Sequence, residues 1–308
     1  MKYLISVFVG AISYGVLSTI VVLAYKAGFQ LGEIVGTQLL TGFVLSWLLV
    51  FYTKKKRSRE LSKCNGEDSI NWAHKKLTWK QRSLLMLAGT PTVITGLLYY
   101  QSLRYISASI AIILLFQFTW ISVIIQTINS RCRPGNNILL ALLVIFGGTF
   151  FASGLSGGAR VSFNSHGIIL ALLAAVSYSL FVLFSGKVLP TVHPVYRSAW
   201  MITGGFILLV ILFPPYFLFN GLLWGPLLIF GFLLGLFGAF IPPLLFAIGV
   251  PHIGEGMAGI VGAAELPVAV LLSSLVLHEH VDKLQWLGVI LILAGVALPK
   301  LKQLHSKK

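Results

Sequence analysis

The chain has 308 residues, of which 57% are hydrophobic and only 10% charged, with a formal net charge of +15 and a mean hydropathy of +0.90. A soluble domain covers its surface with roughly 25% charged residues, so a water-facing globule is excluded and most of this surface must face lipid. The basic excess then points to loop placement before nucleic acid, because membrane proteins gather Lys and Arg in cytoplasmic loops.

A spanning helix takes about 20 apolar residues. Apolar runs between polar breaks predict ten of them, at 3–25, 31–53, 83–103, 107–129, 137–154, 166–188, 195–213, 223–247, 251–277 and 282–299. The first could imitate a signal peptide, but its apolar run exceeds an h-region and many spans follow, so it reads as a span. Helix is forced as well as favoured, since backbone groups in lipid must pair within their own segment. A barrel would need alternating strands, and Ile138–Phe151 does not alternate.

Residues 54–82 form the one long polar segment, a basic loop that fixes topology and could also touch anionic headgroups. With the N-terminus inside, nineteen Lys and Arg fall on the cytoplasmic side, Arg197 among them. Four fall outside: Lys26, Arg104, Arg160 and Lys283. That asymmetry predicts a multi-pass protein of a bacterial cytoplasmic membrane with both termini cytoplasmic. Cys64 and Cys132 lie in cytoplasmic loops beside basic residues and are expected as free thiols.

The two halves resemble each other. Residues 105–111 read YISASIA and residues 252–258 read HIGEGMA, and at the same offset of 147 Gly148 falls on Gly295. Ala11-Ile12-Ser13-Tyr14 likewise matches Ala175-Val176-Ser177-Tyr178. Five spans per half is odd, so the second half enters from the opposite face. The expectation is an all-α polytopic membrane protein of ten transmembrane helices as two inverted five-helix repeats, 1–155 and 165–300, with a basic tail at 301–308. In transporters such repeats hold the substrate site near the midplane, between the copies.

The last stretch carries a family pattern: a proline early in span nine, Pro267, then Glu279, Gln285-Trp286-Leu287-Gly288 and Gly295. In this the chain resembles the EamA-type transporters of the drug/metabolite transporter superfamily over nearly its whole length. The resemblance implies movement of small metabolites such as amino acids. The first half departs from the pattern, with Trp120 where span four usually has proline and Cys132-Arg133 where a Glu is usual.

Glu265, near the middle of span nine, leads the candidate residues. A charge at the bilayer centre costs about 2.5–3.5 kcal/mol on insertion scales, so such residues usually face a cavity or a partner. It could bind an amine, carry a proton, or cap backbone freed by Pro267. Tyr14 with Ser13 and Tyr178 with Ser177 occupy matching places in spans one and six, as cavity lining or as interhelical hydrogen-bonding groups. Gln117 and Trp120 in span four could stack on a solute or pack. Tyr99 and Tyr100 could be interface anchors. Pro91, Pro242, Pro243 and Pro267 are hinge candidates. His278-Glu279-His280 is a poor metal tripod, because its two His splay apart. No metal or cofactor is expected.

No nucleotide loop, nucleophile elbow or H-E-x-x-H helix is present in the sequence, so energy is expected from an ion or solute gradient, or from a partner. The expected partners are a small solute, possibly a coupling proton or ion, and the lipid bilayer, without nucleic acid; a monomer is the default. A lipid-modifying enzyme and a non-transporting membrane subunit are the competing readings, and the scatter of only eight acidic residues speaks against the enzyme.

Overall fold

The computed structural model describes residues 1–61, 77–106, 108–131, 134–152, 164–219, 221–278 and 281–305. Cys64, Cys132, Arg133, Glu279, His280 and most of the 54–82 loop lie outside the described residues. Among the described residues the regular structure is helical, with no strand.

The helices in chain order are α1 (Lys2–Gly15), α2 (Leu17–Lys26), α3 (Leu31–Leu61), α4 (Trp79–Ser102), α5 (Ala108–Leu115), α6 (Phe118–Ser130) and α7 (Asn136–Ala152). There follow α8 (Ser165–Lys187), α9 (Pro194–Leu212), α10 (Pro226–Leu234), α11 (Ile241–Ile253), α12 (Glu255–Gly262), α13 (Glu265–Val276) and α14 (Lys283–His305). A π-helix, Gly235–Phe240, joins α10 to α11. Eight continuous rods are long and apolar enough to cross a membrane: Lys2–Lys26, Leu31–Lys56, Trp79–Ser102, Ile110–Ser130, Ser165–Lys187, Pro194–Leu212, Pro226–Ile253 and Glu255–Val276. Two shorter apolar helices, Asn136–Ala152 and Lys283–Leu298, pack on each other. Large apolar side chains such as Leu87, Leu143, Ile211 and Ile290 are exposed around the outside, which suits hydrocarbon rather than water.

Helix ends follow local chemistry. Thr78 and Gln81 form a reciprocal capping box, so α4 begins at Trp79 rather than at 83. Asn164 caps α8, and Pro194 opens α9 at a position where its missing N–H removes no helical bond. The boundary between the eighth and ninth predicted spans moves from 247–251 to Gly254. Gly254 takes φ +81°, which residues with a Cβ rarely adopt. Pro251 is tolerated inside α11 because the carbonyl it strands, Ala247, accepts a hydrogen bond from the Arg197 guanidinium at 3.1 Å. Arg197, counted among the cytoplasmic charges, thus sits inside the span predicted at 195–213. It is 1% exposed and also donates to the Ser185 carbonyl. Pro91 is accommodated in the same way inside α4, where the Thr90 hydroxyl donates to the stranded Leu87 carbonyl at 2.8 Å.

Contacts fix helix directions. Tyr3 stacks on His252 with centroids 3.6 Å apart, whereas the Tyr25 hydroxyl donates to the Tyr100 carbonyl at 3.0 Å and Arg104 lies over the Tyr25 ring. Residues 100–104 and residue 252 thus sit at opposite ends of the Lys2–Lys26 rod. Small residues let helices close on one another. In α7 and α14, Gly148 meets Gly288 and Ile292, and Gly295 meets Ala141 and Ile145, so the pair is antiparallel. In α6 and α12, Gly256 meets Gln126, Gly259 meets Ser122, and Gly262 meets Phe118, again antiparallel. Thr37 and Thr41 of α3 meet Gly231 and Gly235 in the same order, so α3 runs parallel to α10.

Candidate functional site

Four rods are interrupted near the middle of the bundle, the Lys2–Lys26 rod at Val16, whose amide bonds Ser13 three residues back, and three more strongly. The α5–α6 rod turns at Phe116–Gln117 and the α12–α13 rod at Ala263–Ala264, where the amides of Gln117, Ala263 and Ala264 bond three residues back. The two breaks lie 147 residues apart, the offset of the sequence repeat. Pro267 accounts for the second: it has no N–H to offer the Ala263 carbonyl, which takes Leu266 N–H at 3.3 Å instead. The first break persists without a proline, since the Thr119 hydroxyl satisfies the Phe116 carbonyl at 2.9 Å. The third interruption is the π-helix preceding Pro242 and Pro243. π-Bulges widen a helix locally and are common at functional sites.

Ser13 and Ser177 tie these irregular rods together. Ser13 Oγ donates to the Phe237 carbonyl of the π-helix at 2.8 Å, and Ser177 Oγ donates to the Pro91 carbonyl at 2.9 Å. One serine thus joins α1 to the rod of Pro242, and its sequence partner joins α8 to the rod of Pro91. Both serines serve helix contacts and neither lines the cavity below.

Beside the breaks lies a cavity of about 60 Å³. One water needs roughly 10–15 Å³ by this kind of measure, so the space holds a few waters or a small polar group. It is lined by Tyr14, Leu17, Ser18, Gln38, Thr92, Thr95, Gly96, Tyr99, Tyr100, Leu115, Tyr178, Gly238 and Glu265. These come from α1, α2, α3, α4, α5, α8, the π-helix and α13, so both halves of the chain contribute.

Glu265 is the first residue of α13 and only 7% exposed. Gly15, at the end of α1, packs directly on its carbonyl. Its Oε2 has no hydrogen-bond partner, and neither has the Tyr99 hydroxyl, both buried, while the Tyr178 side chain hydrogen-bonds the carboxyl. Tyr14, Tyr99, Tyr100 and Tyr178 all interact electrostatically with the carboxyl. Tyr14 and Tyr178 meet edge to face, centroids 5.6 Å apart at 88°. Phe118, Phe181 and Phe246 pack around this pair, a geometry that fixes both rings. Tyr100 is held by its hydroxyl donating to Gln38 Oε1 at 3.1 Å.

The sequence candidates divide accordingly. Glu265, Tyr14 and Tyr178 converge on the cavity. Gln117 and Trp120 do not line it: they bond each other, Trp120 Nε1 donating to Gln117 Oε1 at 2.7 Å, and Trp120 is 37% exposed. Gln117 sits at the α5–α6 break and Trp120 in the first turn of α6. Tyr99 and Tyr100, expected as interface anchors, are instead buried in the cavity wall. Gln38, Thr92 and Thr95 were not singled out from the sequence. Their signal was a set of isolated amide and hydroxyl residues within apolar runs. Arg197 and Glu255 were also missed, both buried at the end of the bundle where Tyr3 meets His252.

Comparison with known proteins bears on what such a cavity serves. The profile of the EamA-like transporter family matches residues 1–154 and again 165–299. The "Uncharacterized inner membrane transporter YicL" of Salmonella typhimurium strain LT2 is 26% identical over 220 residues, covering 70% of this chain and 72% of the relative. A solved crystal structure, described only as that of a protein, superposes with a TM-score of 0.67 over 95% of this chain and 97% of its own at 16% identity. That last likeness speaks for the fold alone.

Proposed function

The chain belongs to the EamA-like transporter family, within the drug/metabolite transporter superfamily, and from that premise we propose that it is a secondary transporter working by alternating access around Glu265. Membership and the Salmonella relative support membrane transport by a multi-pass protein. The finer reading is ours. Ten spans form two inverted five-helix repeats, 1–155 and 165–300, with both termini and the 54–82 loop in the cytoplasm. A small organic solute passes between the repeats, driven by a solute or ion gradient, and one chain suffices.

One observation carries this reading: a central cavity, walled by both halves, contains a buried carboxylate whose Oε2 has no partner. A buried, unpaired ionisable group is costly in a membrane and marks a pathway by default. Eight rods long and apolar enough to span, with two shorter apolar helices beside them, support a count of ten. The breaks 147 residues apart and the Ser13 and Ser177 bonds support a duplicated unit. Pro91, Pro242, Pro243 and Pro267 sit where rods bend or lose a backbone bond, which suits hinges.

The test compares solutes inside and outside cells that carry the wild-type chain, Glu265→Gln, or neither. The wild type should create a difference in at least one small solute, and Glu265→Gln should abolish it at equal membrane abundance. A difference unchanged by Glu265→Gln removes Glu265 from the path.

A further inference from the structure

The transport reading leaves the solute's chemistry open, and the cavity wall constrains it. We propose that the solute binds as a small organic cation, a protonated amine whose N–H groups are taken by Glu265 and the hydroxyls of Tyr99 and Tyr178. The inference rests on the transport reading and deepens it.

Charge gives the first argument. Glu265 carries the only carboxyl among the lining residues, and no Lys, Arg or His stands in the wall. An anionic or zwitterionic solute would bring its carboxylate against Glu265 with no counter-charge, and like charges in low dielectric repel strongly. A cation meets the one charge it needs.

Hydrogen-bond inventory gives the second. Two lining atoms are buried without a partner, Glu265 Oε2 and Tyr99 Oη, and the Tyr178 hydroxyl, which bonds the Glu265 carboxyl, keeps oxygen lone pairs that can accept. An unpaired buried acceptor is costly. A primary ammonium carries three N–H donors and no acceptor, and Glu265 Oε2 with the Tyr99 and Tyr178 oxygens can accept all three. Ser18, Thr92 and Thr95 add further hydroxyl oxygens in the same wall.

The third argument is aromatic. Four tyrosines line the space, and ring faces attract ammonium groups. The Phe118, Phe181 and Phe246 side chains hold the Tyr14 and Tyr178 rings in place, so little rotamer freedom is lost on binding.

Protons must then compete with the amine. The groups facing Glu265 are Tyr14 from α1, Tyr99 and Tyr100 from α4, and Tyr178 from α8, while α2 contributes only Leu17 and Ser18 to the wall. None of these supplies a positive charge. Protonating Glu265 removes the counter-charge, so amine binding weakens as pH falls.

The full chain in proteoliposomes, on a solid-supported membrane, is challenged with isobutylamine, isobutanol and isovalerate. Isobutylamine should give saturable currents with at least tenfold tighter apparent affinity than either analogue, weakening on acidification. Glu265→Gln should abolish them and Tyr178→Phe should weaken binding about tenfold. If Glu265→Gln fails to fold, Tyr178→Phe and the wild-type pH profile carry the test. Equal or tighter response to isovalerate or isobutanol, stronger amine binding at lower pH, or silence towards all three overturns the proposal. In the first case transport itself stands. The transport reading falls separately, when the solute comparison in cells shows no effect of the chain.

Discussion

Gly15→Ala probes the contact that sets the position of Glu265. Gly15 ends α1 and its missing Cβ leaves room for the α12–α13 break. A Cβ built there would lie 2.5 Å from the Glu265 carbonyl oxygen and 2.7 Å from Val268 Cβ. Ordinary contact begins at 3.4 Å, so the two rods must separate by about 0.9 Å. One of the clashing atoms is backbone and cannot rotate aside. Overpacking of this kind costs about 1–3 kcal/mol. A misplacement of about 1 Å in a binding constellation can lower its efficiency on the order of 100-fold. Gly15→Ala should therefore reduce solute movement at least tenfold and lower the thermal unfolding midpoint in detergent. Gly147→Ala is the control: a Cβ there meets nothing within 4 Å, and activity and stability should hold. A Gly15→Ala protein as active and as stable as wild type would refute the contact and the reasoning built on it.

Two further outcomes follow from the hydrogen bonds. Ser13→Ala and Ser177→Ala should each destabilise the bundle by about 0.6 kcal/mol, the average for interhelical hydrogen bonds in membranes, and roughly additively because the contacts are separate. Ser177→Ala should be the milder, since the Pro91 carbonyl keeps the Thr95 hydroxyl at 2.7 Å; denaturant unfolding in mixed micelles reads both, and the reverse ranking contradicts the assignment. Tyr100→Phe removes the donor to Gln38 Oε1. It should cost about 1 kcal/mol, at the low end for an unpaired acceptor, because Gln38 lines the cavity and water can reach it. A loss above about 3 kcal/mol in the same assay would mean that the pair is sealed from the cavity.

Much of the bundle was legible from sequence because lipid imposes a simple rule on composition. Runs of apolar residues near 20 long mark rods, and eight of the described helical rods are long and apolar enough to be spans. What composition could not place was the irregular backbone. Pro251 looked like a boundary, but whether a proline ends a helix depends on who receives the stranded carbonyl, and that was Arg197 from another rod. The break at Phe116–Gln117 had no proline to announce it. The cavity was half legible. Glu265, Tyr14 and Tyr178 stood out by charge and by repeat, whereas Gln117 and Trp120, at the α5–α6 break, bond each other and do not line the cavity. Facing depends on rod rotation, which a nearly all-round apolar helix does not encode. Tyr99 and Tyr100 lie close to a span end, and from sequence a tyrosine there fits an interface as well as a cavity wall.

The decisive measurement is the sidedness of positions 105 and 252, both exposed in the structure. With Cys64 and Cys132 replaced by serine, Tyr105→Cys and His252→Cys are labelled in intact cells by a membrane-impermeant maleimide. The account predicts labelling of position 105 from outside and of position 252 only after the membrane is opened. Labelling of both from one face would contradict a duplicated, inverted five-span unit, and with it a solute path enclosed between two copies.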